Sequence, residues 1–297
     1  MKIAVVGSIN IDMTVTTDRI PKKGETLTGT SLSYIPGGKG ANQAVAMARL
    51  GANVQMFGCV GEDASGEILT ENLKKNGVDT SCIRRIPGTP TGTAFITVGE
   101  KDNTIIIIAG ANGCVDIPYI QSVKEELLAA DLVVLQHEIP LETDAYVVDL
   151  CHDAGIKVVL NPAPAYTVSP EVLEKVDYLT PNEHEAAILY GDDTEIEEML
   201  KKYPEKLIIT QGSRGVSAAL RTGEVVNVPA RPARVVDTTG AGDTLNGAFA
   251  VKIAEGADIV EALKFANVAA SLSTEKFGAQ GGMPTQAEVE TEIKMLG

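Results

Sequence analysis

The sequence predicts an α/β fold: a doubly wound, mostly parallel sheet flanked by helices, with a small antiparallel β lid beside it. Three observations lead there. From Asp131 onward, short apolar runs alternate with helix-length stretches, the βαβα rhythm of a parallel sheet covered on both faces. The run Ile3 to Val6, ended by Gly7, is apolar without alternation, as in a strand buried on both sides. Residues 11–17, 25–35, 91–98 and 104–109 instead alternate or are rich in Thr, Ser and Tyr, which suits a sheet with one solvated face. Residues 1–297 read as one domain, with the lid inserted from about 11–36 and 91–109.

Taken in order, the first strand is followed by Asn10-Ile11-Asp12, hydrogen-bonding side chains just past a buried strand end, where open α/β sheets bind ligands. A simple turn is the alternative. Next comes Pro36-Gly37-Gly38-Lys39-Gly40-Ala41-Asn42-Gln43, a glycine-rich loop entering a helix that Gly51 closes. A Walker arrangement would need glycine at position 33 and a hydroxyl after the lysine, but the chain has Ser33 and Gly40. Lys39 and Asn42 can instead face a polyhydroxyl ligand. Val54 to Val60 and a helix from about Ser65 to Lys75 form a further βα unit, and Glu100-Lys101-Asp102-Asn103 is a hairpin turn. In the βαβα half, Glu138, Asn161, Asn182 with Glu185, and Gly212-Ser213-Arg214-Gly215 follow successive strands, gathering polar and glycine residues at one sheet edge.

The stretch Val235 to Gly247 reads as strand, glycine turn and helix start. The unpaired N–H groups of a helix start, beside glycines, form an anion site. Asp243 is the odd residue there, since a carboxylate repels phosphate; a general base explains it. An ordinary helix cap explains it too, and the loop alone leaves both readings open. If phosphoryl transfer is the chemistry, the N–H groups of Gly240, Ala241 and Gly242 stabilise the transferring oxygens, and Asp243 must be ionised.

Composition narrows the partners. A formal charge of −15, spread along the chain, argues against nucleic acid or anionic membrane, and a nucleotide would then need a divalent cation. The four cysteines have no CxxC or zinc-ligand spacing and read as reduced core residues. His137, His152 and His184 form no ligand-spaced pair and read as surface or loop residues. With no signal-like or transmembrane-length run, a cytoplasmic location is expected. The exposed edges of the small sheet suggest a homodimer through the lids.

Gly37 to Ala44, Asp237 to Thr244 and Asn182-Glu183-His184-Glu185 resemble the two signatures and the Asn-x-x-Glu motif of the ribokinase/phosphofructokinase-B type carbohydrate kinase family, a match that runs end to end. The resemblance implies ATP-dependent phosphorylation of a sugar, D-ribose at O5, with Asp243 as base. It implies a sugar set of Asn10, Asp12, Gly38, Lys39, Asn42, Glu138 and Asp243. For ATP it implies Asn182, Thr210, Gly212, Ser213, Gly215, Gly242 and Asn267, with Glu185 organising Mg2+. It implies an activating K+ at Asp237, Thr239, Ser273, Lys276, Gly278 and Gly282, several through backbone carbonyls. Asn267 stands where some members have histidine, and Gly282 where serine is expected.

Two rival readings fit parts of the same pattern. The same chemistry on deoxyribose, fructose or adenosine is the nearer, because the phosphate site does not set the sugar pocket. A nucleoside would call for stacking aromatics, which are only 4% of this chain with no tryptophan; Tyr34 and Phe95 keep the option open. A non-catalytic sugar or nucleotide sensor is the other, and Asp243 with its glycine loop argues against it. A dehydrogenase is weaker still, since Gly7 stands outside any GxGxxG.

Overall fold

The computed structural model describes residues 1–100, 102–191 and 194–296. Lys101 of the expected hairpin turn and Gly297 lie outside the described residues. The first half runs β1 (Lys2–Val6), β2 (Asn10–Thr16), β3 (Ser31–Gly37), α1 (Lys39–Arg49), β4 (Asn53–Gly61), α2 (Ala64–Lys75), β5 (Asp79–Ile86), β6 (Gly92–Gly99), β7 (Asp102–Ile108), α3 (Ile117–Ser122), α4 (Lys124–Leu128) and β8 (Leu132–Gln136). It continues with α5 (Leu141–Ala154), β9 (Lys157–Asn161), α6 (Pro170–Lys175), β10 (Tyr178–Leu179), α7 (Glu183–Tyr190), α8 (Ile196–Lys202), β11 (Ile208–Thr210), β12 (Val216–Ala219) and β13 (Val225–Val228). The helices α9 (Ala241–Ala254), α10 (Ile259–Ser273), α11 (Ala279–Gly282) and α12 (Gln286–Leu296) close the chain.

The central sheet has the order β10-β9-β8-β1-β4-β5, every pairing parallel. Parallel bridges Leu179↔Leu207 and Asn182↔Thr210 extend it to the antiparallel β11-β12-β13. Alternation along β1 sorts the core into two layers, which is the doubly wound arrangement. Ile3 and Val5 pack with Val45, Phe249 and Ala269 of α1, α9 and α10 on one face. Ala4 and Val6 pack with Ile120, Val147 and Leu200 of α3, α5 and α8 on the other. Helices α1 and α9 cross closely at Gly247, where a Cβ would stand 2.8 Å from that of Ala46.

The small sheet has the order β3-β2-β6-β7. Its outer pairings are antiparallel and its central pairing, β2 with β6, is parallel. The chain leaves β3 through the βαβ unit β4-α2-β5 before returning, so β6 arrives in the direction of β2. Residues 25–30 are not strand. Neither is the segment expected at Val235 to Asp237: Val236 and Asp237 both direct their N–H groups at the Thr274 carbonyl, leaving no ladder to join.

Candidate active site

The carboxyl ends of the strands meet under the small sheet, as the spacing of the post-strand polar residues implied. Glu138, after β8, accepts from Ser8 Oγ at 2.5 Å and from Lys39 N at 3.1 Å, tying the β1 turn to α1. Asn10 starts β2, where its Oδ1 accepts from Asn112 Nδ2 at 2.6 Å. Asp12 lies two residues on, on the same face of the sheet. Gly38 is the N-cap of α1 at φ +88°, a conformation that favours glycine.

Asp243 sits in the first turn of α9, 8% exposed. Its Oδ2 accepts from Asn42 Nδ2 at 2.9 Å and its Oδ1 from Gln43 Nε2 at 3.1 Å. Asn42 therefore serves this carboxylate as well as any ligand. Burial raises the Asp243 pKa, opposed by the charge of Lys39 and by the two amides, and reinforced by Glu138. Burial and the charges of Glu138 and Asp243 push Asp12 up to about 7. Burial alone would depress Lys39, but Asp243, Glu138 and Glu185 outweigh it and raise its pKa.

The turn before α9 has Gly240 in the left-handed region at φ +77°. Of the three expected anion-hole donors, Ala241 is engaged, its N–H meeting Thr238 O at 3.2 Å in the tight turn. Gly240 and Gly242 carry the remaining expected donors.

Asn182 and Glu185 form a capping box at the start of α7: Glu185 N donates to Asn182 Oδ1 at 2.9 Å, and Asn182 N to Glu185 Oε2 at 2.8 Å. Burial raises the Glu185 carboxyl. Both line a polar cavity of about 140 Å³ with Lys39, Thr210, Gly242 and Asp243. Thr210 and Gly242 also line a larger groove of about 520 Å³ that holds Gly212, Ser213, Gly215 and Asn267. Asn267 uses its amide to donate to Val228 O and Pro229 O at 3.0 and 2.6 Å, so it shapes the groove wall. On the lid side of Glu138 a third cavity, about 520 Å³, is lined by Asn10, Ile107 and His137.

The residues assigned to a monovalent cation are also brought together. Asp237 accepts from Thr239 N and Oγ1 at 2.9 and 2.7 Å and from Gly278 N at 2.9 Å. Burial raises this carboxyl, but those bonds outweigh it and hold it below its ordinary value. Gly282 lies against the Ser273 carbonyl so closely that a serine Cβ would collide with it, which accounts for glycine at that position. Lys276 turns its ammonium to Glu288 at 3.5 Å, leaving only its main chain for such a role.

Sequence reasoning missed four features. His137 is buried rather than exposed, its pKa pushed down to about 4 by desolvation. Asn112 positions Asn10, and the loop 230–235, anchored by Arg231 to Glu275 and Glu292 at 2.8 and 2.5 Å, walls the large groove. Gln43, Gln136 and Asn161 form a buried amide cluster against Asp243. The only signal for the last was a polar residue ending each of two apolar runs, Gln136 and Asn161.

The model of the pfkB family of carbohydrate kinases matches residues 1–286. The chain is 51% identical over 288 residues to the ribokinase of Bacillus subtilis (strain 168), covering 97% of this chain and 98% of that protein. It is 48% identical over 297 residues to the ribokinase of Lactococcus lactis, covering 99% and 98%. The structure of Arabidopsis thaliana ribokinase complexed with ribose and ATP superposes with a TM-score of 0.89 at 34% identity, covering 98% of each chain.

Proposed function

The chain belongs to the pfkB family of carbohydrate kinases, and from that premise we propose that it transfers the terminal phosphoryl group of ATP to O5 of D-ribose. One observation carries the chemistry: a buried carboxylate, Asp243, at a helix N-terminus, lining a polar cavity that shares Thr210 and Gly242 with a nucleotide-sized groove. Residues 1–297 act as one catalytic unit carrying the lid.

ATP lies in the groove bounded by Thr210, Gly212, Ser213, Gly215 and Asn267, its phosphates directed to the start of α9. Ribose lies between Asn10, Asp12, Gly38, Lys39, Asn42 and Glu138. Asp243 accepts the proton of the 5-hydroxyl as that oxygen attacks the γ-phosphorus in line. The carboxylate's raised pKa improves it as a base. Lys39 and the N–H groups of Gly240 and Gly242 face the negative charge spread over the transferring oxygens. Ala241 N–H joins them only if its turn bond to Thr238 opens.

Glu138, Glu185 and Asp243 surround Lys39, so a polyphosphate entering this site needs a cation with it. Hard oxygen donors fit Mg2+, and Glu185 with Asn182 would hold it with its waters, most ligands coming from the phosphates. Mg2+ held there would supply charge neutralisation to the phosphates of ATP. Asp237, Thr239, Ser273, Lys276, Gly278 and Gly282 would hold K+ by oxygen atoms, and the close approach of Gly282 to the Ser273 carbonyl supports this cradle. K+ held there would supply positive charge near the start of α9.

The lid supports a homodimer. Register places Tyr34, Met13, Phe95 and Ile106 in one row, on the face opposite Asp12. Tyr34, Phe95 and Ile106 are 61%, 47% and 66% exposed, an apolar face suited to a second lid. Free thiols and the use of ATP support a cytoplasmic setting, and among the described residues no helix is long and apolar enough to cross a membrane.

ADP release from Mg-ATP with ribose, deoxyribose, fructose and adenosine, each with and without K+, tests the reading. Fastest turnover on ribose, raised by K+, is expected. Ligand binding by thermal shift without turnover on any acceptor contradicts it and points to a sensor.

A further inference from the structure

The protein hydrogen bonds to the Asp243 carboxylate come from side-chain amides, and the main chain fixes the direction of the bonds to one oxygen. Asn161 Nδ2 donates to Thr180 O at 3.1 Å. A main-chain carbonyl only accepts, so Asn161 must turn its Oδ1 toward α1, where it accepts from Gln43 Nε2 at 3.1 Å. The same Nε2 then faces Asp243 Oδ1 as a donor at 3.1 Å. Gln43 Oε1 accepts from Gln136 Nε2 at 2.8 Å, so both ends of the Gln43 amide are pinned. All three amides are buried. Gln136 is itself lodged over Gly7, where any Cβ would strike its Oε1.

We infer that Gln43 is a positioning residue for the catalytic base, orienting Asp243 Oδ1 and favouring its ionised form through a relay that begins at Gln136 and is locked by Asn161. The inference rests on the reading of Asp243 as the base. With its donor orientation fixed, Gln43 can bond the carboxylate but offers no acceptor to a protonated acid. A carboxylate oxygen accepts more than one hydrogen bond, so the contact does not block proton uptake from the sugar hydroxyl. The charged groups facing Asp243 are Asp12 of β2, Lys39 of α1, Glu138 after β8 and Glu185 of α7. Of these only Lys39 favours the ionised state, and the Asn42 and Gln43 amides add to it.

The test is the pH dependence of kcat for Gln43→Met, which keeps the volume and loses the donor. A hydrogen bond to a charged group is worth about one pKa unit or more. The acid limb of kcat should therefore move up by about one pH unit, with kcat down about tenfold or more and both KM values within about threefold. Gln43→Glu should move the limb further, because two carboxyls then share a proton. Gln136→Leu, distant from the carboxylate, should give a smaller shift in the same direction, and the double variant should equal Gln43→Met alone. If Gln43→Met does not fold, the Gln136→Leu limb decides in its place. An unmoved acid limb in a folded variant, with Asp243→Asn inactive, overturns the positioning role alone. Full turnover in Asp243→Asn removes the base reading and this inference with it.

Discussion

Asp12 illustrates how a candidate site residue costs the fold stability. Its carboxyl is raised to about 7 by burial and by Glu138 and Asp243. A folded pKa above the unfolded value means that the folded state holds the extra proton, so stability declines as pH rises from about 4 through 7. Asp12→Asn removes that penalty. It should raise the Tm of the ligand-free protein at pH 8, by the equivalent of about 1–3 kcal/mol, and leave Tm nearly unchanged at pH 4. It should also raise the KM for ribose. An equal Tm gain at both pH values would contradict this electrostatic account. Asp12 and Asp243 could be singled out as candidates in the sequence because acids stand out beside strand ends and glycine turns. The burial of His137 was not, because it depends on which loops cover β8.

At the scale of elements, the site depends on how α1 and α9 cross. Gly247 leaves room for Ala46 and for the Gln43 carbonyl, which would lie 3.1 Å from a Cβ there. Gly247→Val should force the helices apart at a cost of about 1–3 kcal/mol, read by denaturant unfolding. Because Gln43 and Asp243 ride on these two helices, kcat should fall with it. Undiminished stability would show that the crossing is less tight than its geometry. The helices were readable from their glycine and capping signals, whereas their contact is tertiary and leaves no local pattern. The segment Val235 to Asp237 failed in the same way: an extended stretch before a glycine turn read as a strand, but no neighbour offered a ladder, and the loop bonds to Thr274 instead.

For the whole molecule, the doubly wound architecture followed from the alternation of buried strands and helices. The lid was legible as separate because its strands are half-polar. That its centre is parallel was not, since pairing order reflects the βαβ excursion through β4, α2 and β5. Its outward face, with Phe95 and Ile106, is the proposed contact between two copies. Phe95→Asp combined with Ile106→Asp should convert a dimer to a monomer in sedimentation velocity at micromolar concentration. A parent protein that sediments as a monomer would sink the lid-to-lid interface.

The most direct measurement of the central claim is single-turnover phosphorylation of ribose by Asp243→Asn under saturating Mg-ATP. The account predicts a rate lower by about 10²-fold or more, with ribose and ATP affinity roughly retained, because a base is lost and the pocket is not. A rate equal to that of the parent protein would contradict it and take Asp243 out of the chemistry.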